Sequence, residues 1–353
     1  MRFYLCGLCV AFSGLIISVS CTLTKRSFLY ENAPCQNQNE PGTCTQFLKC
    51  DPAKKFVKLY KTHNFTRCGF AGISELICCP VTTPLRLNNL TRKCEDACEA
   101  YTQTYSNVVF PHIVGGQNAK VGQFPYMAAL GFYSEINSNY NFRCGGTLIS
   151  DKYVVTAAHC LWNLEEEEVK IVRLGATSVP ALVDKIDEKL DYKVKNYTIH
   201  PGYRRRSNIH DIALIEVVNS IELRDDLRPA CLFTNGSNYP QEFTIAGWGI
   251  VDDNYTRTNN LQVAFVNLEI FDNCVDKYAR ARKQLEESQM CASSIKSDIC
   301  RGDSGGPLLM KNSDIPVLVG ISSFGLPGCS GGNPSVYTSI SQHLDWIEKI
   351  VWP

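Results

Sequence analysis

Apolar and polar positions alternate along the C-terminal two-thirds of the chain. Short runs of period two, rich in Val, Ile, Phe and Tyr, predict β-strands at Phe142–Ser150, Tyr153–Ala157, Lys170–Leu174, Ile212–Val218, Phe243–Trp248, Gln262–Leu268, Val317–Phe324 and Ser335–Ile340. Near the end the period changes. Leu344, Ile347, Ile350 and Val351 fall at helical spacing, so residues 342–352 are expected to close the chain as an amphipathic helix. Many short strands, glycine-rich turns and one terminal helix fit an all-β fold of two packed antiparallel barrels.

Upstream of residue 113 that pattern is missing. Residues 80–112 read as a linker: Thr-Thr-Pro, an Asn-rich patch and charges, broken only by Cys94 and Cys98. Residues 35–79 hold six cysteines and too few apolar side chains for a core of their own, so cross-links must restrain the unfolded chain there. Six cysteines allow fifteen pairings, and spacing alone does not choose among them. At the start, Arg2 precedes an apolar stretch from Phe3 to Val19 that ends in small residues. This reads as a signal peptide over residues 1–21, cleaved near Ser20 or Cys21; it is shorter than a membrane anchor and interrupted by Ser13, Gly14 and Ser18.

Composition narrows the class. The 353 residues carry 35 basic and 35 acidic side chains, so neither a nucleic-acid nor a membrane-surface partner is expected. The acidic run Glu165–Glu168 reads as a solvated loop. Eighteen cysteines with few metal-type spacings point to disulfides in an oxidising compartment. Five Asn-x-Ser/Thr triplets, at Asn64, Asn89, Asn196, Asn235 and Asn254, are glycosylation candidates of a secreted surface.

The chemistry lies in Cys300-Arg-Gly-Asp-Ser-Gly-Gly-Pro307. Here Ser304 is expected on a tight turn between glycines, and the amides of Gly302 and Ser304 face the space where an oxyanion would develop. Such a serine needs a base and an orienting carboxylate. His159, in Thr156-Ala-Ala-His-Cys160, and Asp211, in Asp211-Ile-Ala-Leu-Ile215, supply both. The remaining histidines, His63, His200, His210 and His343, have no partner motif and read as structural or surface residues.

In these motifs and their order His, Asp, Ser, the chain resembles the chymotrypsin-fold serine proteases. Upstream, the six-cysteine block with its terminal Cys78-Cys79 resembles the clip domain of arthropod clip-domain serine proteases. The resemblance implies a chymotrypsin-like double barrel over 113–353, with catalytic His159, Asp211 and Ser304. It implies clip pairings Cys35–Cys78, Cys44–Cys68 and Cys50–Cys79, and protease pairings Cys144–Cys160, Cys274–Cys291 and Cys300–Cys329. It also implies Cys98–Cys231 as the tie to the pro-region. Cys94 exceeds the family count: pairing with Cys21, linkage to another molecule and competition with Cys98 all stay open.

Activation is implied at the bond between His112 and Ile113, in Ile113-Val-Gly-Gly116, with the new Ile113 ammonium pairing Asp303. His112 replaces the family's usual Arg or Lys, so an upstream activator of non-trypsin specificity is expected. Asp298 stands where the family has a pocket-floor carboxylate, with Ser323, Gly325 and Ser335 along the walls, which implies cleavage after Arg or Lys. Ile299 and Ser335 depart from the usual trypsin residues: Ile299 removes a hydrogen-bond partner for a basic guest, and Ser335, in place of glycine, is expected to narrow the pocket. Leu174-Gly175 is followed by Ala176 where calcium-binding members have an acid, so no metal and no cofactor are expected. The implied role is a secreted zymogen that cleaves another zymogen in an extracellular immune or developmental cascade, under a serpin-type inhibitor. A venom protease of the same architecture and a non-catalytic clip-mediated adaptor are the alternatives.

Overall fold

A computed structural model of the chain describes residues 32–37, 40–50, 53–54, 57, 65–71, 74–80, 91–104, 117–162, 167–236, 239–249, 257–294, 303–311, 315–326 and 333–353. The expected signal peptide and the His112–Ile113 bond lie outside them, as do Cys300, Cys329, Asn64, Asn89 and Asn254. The chain divides into two units, residues 1–57 with 62–83, and residues 58–61 with 84–353.

In the smaller unit, β1 (Pro34–Asn37), β2 (Glu40–Gln46), β3 (Arg67–Ala71) and β4 (Ser74–Pro80) form an antiparallel sheet in the order β1-β2-β4-β3. Disulfides Cys35–Cys78, Cys44–Cys68 and Cys50–Cys79 cross it. Sulfur fills the interior that apolar side chains would otherwise fill: Cys44, Cys50 and Cys78 are fully buried beside Ala33, Ala53, Leu76 and Ile77.

The larger unit begins differently from expectation. Within the expected linker, Lys93–Thr104 is a helix, α1. Its polar sequence hides a two-residue apolar stripe, Cys94 and Cys98, spaced one turn apart and both buried. Cys98 is bonded to Cys231. Cys94 is a free, buried thiol, its backbone N–H donating to Glu348 Oε1 at 3.0 Å. Burial, chiefly, pushes that thiol's pKa up, with Glu348 adding to the shift. Arg92 pairs with Asp345 and Glu348, so this segment is held against the C-terminal helix.

Two rings of strands follow. β5 (Gln117–Asn118) leads to β6 (Met127–Ser134), β7 (Asn139–Leu148), β8 (Tyr153–Thr156), β9 (Glu167–Leu174), β10 (Leu182–Val183), β11 (Asp191–Ile199) and β12 (Ala213–Val217). The order β7-β6-β9-β11-β12-β8 closes through β8 back on β7, making a six-stranded antiparallel barrel with β10 added to β7. Then come β13 (Cys231–Leu232), β14 (Glu242–Gly247), β15 (Gln262–Leu268), α2 (Phe271–Arg280), β16 (Gln289–Ser293), β17 (Pro307–Met310), β18 (Val317–Phe324), β19 (Ser335–Ser339) and α3 (Leu344–Val351). The order β18-β17-β14-β15-β16-β19 closes the second barrel through a β18–β19 pairing. The fold is thus the chymotrypsin-like double barrel with a C-terminal helix. No helix among the described residues is long and apolar enough to cross a membrane.

Three departures have physical causes. Glu167 and Glu168, expected in a solvated loop, open β9, because the ladder with β6 extends to Ser134 and Arg143 pairs with Glu167 at 2.5 Å. β11 escaped the alternation rule because a bulge between Val194 and Asn196 breaks its period of two. β6 escaped it because Met-Ala-Ala-Leu-Gly-Phe is buried on both faces and shows no alternation at all.

Candidate active site

The turn around Ser304 follows from its glycines. Gly306 N–H donates to the Asp303 carbonyl at 2.9 Å, closing a β-turn with Ser304 and Gly305 at its centre. Gly305 has φ +79°, and a Cβ there would lie 2.2 Å from Thr156 Oγ1 and 2.5 Å from the Gly145 carbonyl. Only glycine fits. Gly145 N–H in turn donates to the Ser304 carbonyl at 2.8 Å, so the first barrel braces the turn.

His159 sits in a short 3₁₀ turn, Ala158–Cys160, straight after β8. Asp211 precedes β12, the antiparallel neighbour of β8, so pairing Ala213 with Thr156 brings the two together. The Asp211 carboxylate is wholly buried and fully engaged. It accepts the His159 backbone N–H at 2.8 Å and the His159 Nδ1 proton at 2.7 Å. It also accepts the Ser323 hydroxyl at 2.5 Å. Those donors repay the cost of burying a charge, and they assign the imidazole proton to Nδ1, leaving Nε2 with a lone pair. Thr338 Oγ1 donates to the Asp211 carbonyl at 2.9 Å from the second barrel. His159 Nε2 and the Ser304 backbone carbonyl oxygen each lie 3.8 Å from the same Cys160 sulfur, so the histidine turn and the serine turn are neighbours. Cys160 is bonded to Cys144.

His159 borders a cleft of about 380 Å³ whose other lining residues are Trp162, Tyr203, Arg205, Asn208, Ser323 and Phe324. Trp162 and Tyr203 make an edge contact, with centroids 5.6 Å apart. Burial, with the Asp211 charge behind it, pushes the Tyr203 hydroxyl pKa up. Along the pocket walls, Gly325 faces Ser335: a Cβ on Gly325 would meet Ser335 Oγ at 3.2 Å. Asp298, Ile299 and Gly302 lie outside the described residues.

Asp303 is cradled by Gly247-Trp248-Gly249. Its Oδ1 accepts the Gly249 N–H at 2.9 Å, and a Cβ on Gly247 would lie 1.9 Å from the same oxygen. The half-buried Arg257, whose guanidinium donates to the Phe142 carbonyl, has its pKa lowered by burial, and the Asp303 charge offsets part of that.

Sequence reasoning missed three things. Ser323 was assigned to substrate binding, yet its hydroxyl is committed to Asp211; no motif announces this, because the two are 112 residues apart. The Trp162–Tyr203–Arg205 side of the cleft was also missed, although Tyr203-Arg-Arg-Arg206 is a visible signal. Third, His200, His210 and His343 are not separate surface residues. Their ring centroids lie 4.7 to 5.3 Å apart, brought together by β11, the turn before β12 and the C-terminal segment. Of the glycosylation candidates within the described residues, Asn196 is exposed and Asn235 half-buried.

Comparison with known proteins gives a consistent picture. The family model for trypsin matches residues 113–347. The chain is 35% identical over 257 residues to serine protease Hayan of Drosophila melanogaster, covering 69% of this chain and 39% of that one. It is 30% identical over 335 residues to CLIP domain-containing serine protease B4 of Anopheles gambiae, covering 89% and 90%. It is 29% identical over 397 residues to Spaetzle-processing enzyme of Drosophila melanogaster, covering 96% and 97%. The chain therefore spans less than half the length of Hayan but about nine-tenths or more of the other two.

Proposed function

The chain belongs to the trypsin family of serine proteases, in its arthropod clip-domain branch, and is a serine endopeptidase; on that footing we propose that it is a secreted zymogen. In this reading residues 35–79 are the clip domain, residues 80–112 the pro-region and residues 113–353 the protease domain. Cleavage between His112 and Ile113 frees an α-ammonium, which pairs with Asp303 and shapes the oxyanion site. The observation that carries the reading is the Asp303 carboxylate cradled by Gly247 and Gly249, one residue before Ser304.

In the same reading catalysis runs through the triad. Ser304 Oγ attacks the scissile carbonyl and gives its proton to His159 Nε2. Asp211 holds the imidazole and stabilises the imidazolium, with Ser323 holding Asp211. The amides of Gly302 and Ser304 receive the oxyanion, the proton passes to the leaving amine, and water hydrolyses the acyl-enzyme. Asp298 selects Arg or Lys, with Ser335 narrowing the pocket and Ile299 withholding a hydrogen-bond partner from the basic guest. The substrate is a protein, in our reading another zymogen of an extracellular immune or developmental cascade. The relative named Spaetzle-processing enzyme supports a protein-processing role.

The test is to incubate the purified full chain with trypsin and, separately, with a protease that accepts His before the cut. N-terminal sequencing is read alongside hydrolysis of arginyl, lysyl, phenylalanyl and leucyl substrates. We expect Ile113 to appear only in the second case, together with arginyl and lysyl hydrolysis. A preparation correctly severed before Ile113 that stays inert on those two substrates overturns the reading.

A further inference from the structure

Three imidazoles that the catalytic machinery does not use converge beside it. One ring nitrogen from each of His200, His210 and His343 lies within 4.8 Å of the other two. His210 Nδ1 and His343 Nε2 are 3.0 Å apart. Two imidazole nitrogens bound to one tetrahedral zinc at ~2.0–2.1 Å stand ~3.3 Å apart, so this pair is already at chelating distance.

The surroundings are those of a ligand set. His343 is 2% exposed, and its Nδ1–H donates to the Ser339 carbonyl at 2.6 Å. That bond fixes the tautomer and turns the Nε2 lone pair toward the cluster, as the backbone carbonyl behind a metal-bound histidine does. His200 lies edge-on to Trp346, with centroids 5.0 Å apart, and its Nδ1 is held only by the Gly202 N–H at 3.1 Å. A Cβ on Gly202 would stand 2.8 Å from His210 Cδ2 and 3.2 Å from His200 Nδ1, so glycine is what lets both rings occupy this corner. His200 and His210 are half-buried, so the cluster is reached from solvent.

We propose that His200, His210 and His343 form a binding site for one divalent transition-metal ion of the zinc class, with water completing the tetrahedron. On binding, His210 moves its Nδ1 proton to Nε2 and its lone pair to the metal. His200 exchanges the Gly202 contact for the ion. Three imidazoles and no thiolate or carboxylate favour zinc, copper, nickel or cobalt over calcium or magnesium. His210 immediately precedes Asp211, and Ile212 N–H donates to the His210 carbonyl at 2.8 Å, so an ion that draws on His210 displaces the segment that holds Asp211. Occupancy therefore lowers proteolysis.

The test uses the full chain, tag-free and stripped with chelator, titrated with Co²⁺. Ligand-field absorption reports tetrahedral binding, Zn²⁺ competition gives the affinity, and equilibrium dialysis gives the stoichiometry. We expect one ion per chain at micromolar affinity or tighter, weakened about 100-fold in His200→Gln and in His343→Gln. Near-UV circular dichroism checks that each variant is folded. Should His343→Gln fail to fold, the half-exposed His200→Gln still decides. Absence of a tetrahedral cobalt band, or binding unchanged in folded His200→Gln, overturns the proposal. None of these readouts needs activation at Ile113, so failure here leaves the protease reading untouched.

Discussion

The two units of this chain reach order by different means. The small one is a four-stranded sheet whose buried positions are largely cystine sulfur, with Ala33, Ala53, Leu76 and Ile77 as its few apolar fillers. Among the described residues the large one buries three clusters rich in aliphatic and aromatic side chains, among them Phe132, Phe142, Phe233, Phe243, Tyr278 and Tyr337. It too has disulfides, but Cys144–Cys160 and Cys274–Cys291 are minor members of clusters built mainly from apolar side chains or, around Tyr278, shared with them. A short segment cannot bury enough apolar area to offset its chain entropy, so it restrains the unfolded state instead. A barrel that must hold a carboxylate, an imidazole and a hydroxyl in register depends on dense packing.

The sharpest test of that contrast concerns function. Asp211→Asn in the activated large unit should lower kcat on an arginyl substrate about 10⁴-fold, because the imidazole is no longer held in the working tautomer. The double change Cys44→Ser with Cys68→Ser should leave that rate within a factor of about two, since small-substrate hydrolysis needs only the large unit. Equal losses in both variants would break the distinction.

Stability comes next. Arg173 and Asp191 form a bidentate pair, both bonds 2.7 Å, almost wholly buried in the first barrel. Asp191→Ala strands the guanidinium and should cost about 3–5 kcal/mol, read as a fall in the urea midpoint of the large unit. In the small unit the corresponding loss comes from its cross-links. Opening Cys44–Cys68 should cost about 2–5 kcal/mol and appear as faster amide exchange across β2 and β3, with the barrels unchanged.

The smallest effect is one of pH. In the folded large unit His343 has its pKa lowered to about 4, first by burial; unfolded, it titrates near its ordinary 6.5. Between those values the unfolded chain binds the extra proton, so stability is complete above about pH 6.5 and falls as pH drops toward 4, by roughly 3 kcal/mol in all. Urea midpoints at pH 7, 5 and 4 should show this slope in the wild type and lose it in His343→Gln. His343 belongs to the large unit, so the exchange rates of the small unit, corrected for intrinsic pH dependence, should not follow that slope.

Much of this was legible because local rules carried it. Gln262–Leu268 and Val317–Phe324 are strands where alternation placed them. Ser304 stands on the glycine turn that its hexapeptide requires. The helix at Lys93–Thr104 was illegible because only two of its residues, both cysteines, are buried, and its hold on Glu348 spans some 250 positions. Ser323 lines the cleft as a pocket residue, but that its hydroxyl also holds Asp211 is decided only by the barrel.

By itself the sequence determined which residue types are present and what each short stretch does alone: the turn at Ser304, the strands, the cysteines available to pair and the tautomer-ready histidines. Tertiary structure decided which of these meet. The barrel ladders bring His159 to Asp211, the second barrel supplies Ser323 and Thr338 behind them, and three histidines from distant segments share one corner. The reason is that strand propensity and turn chemistry act over a few residues, whereas a buried charge or a ligand set is stable only when groups far apart in sequence close around it.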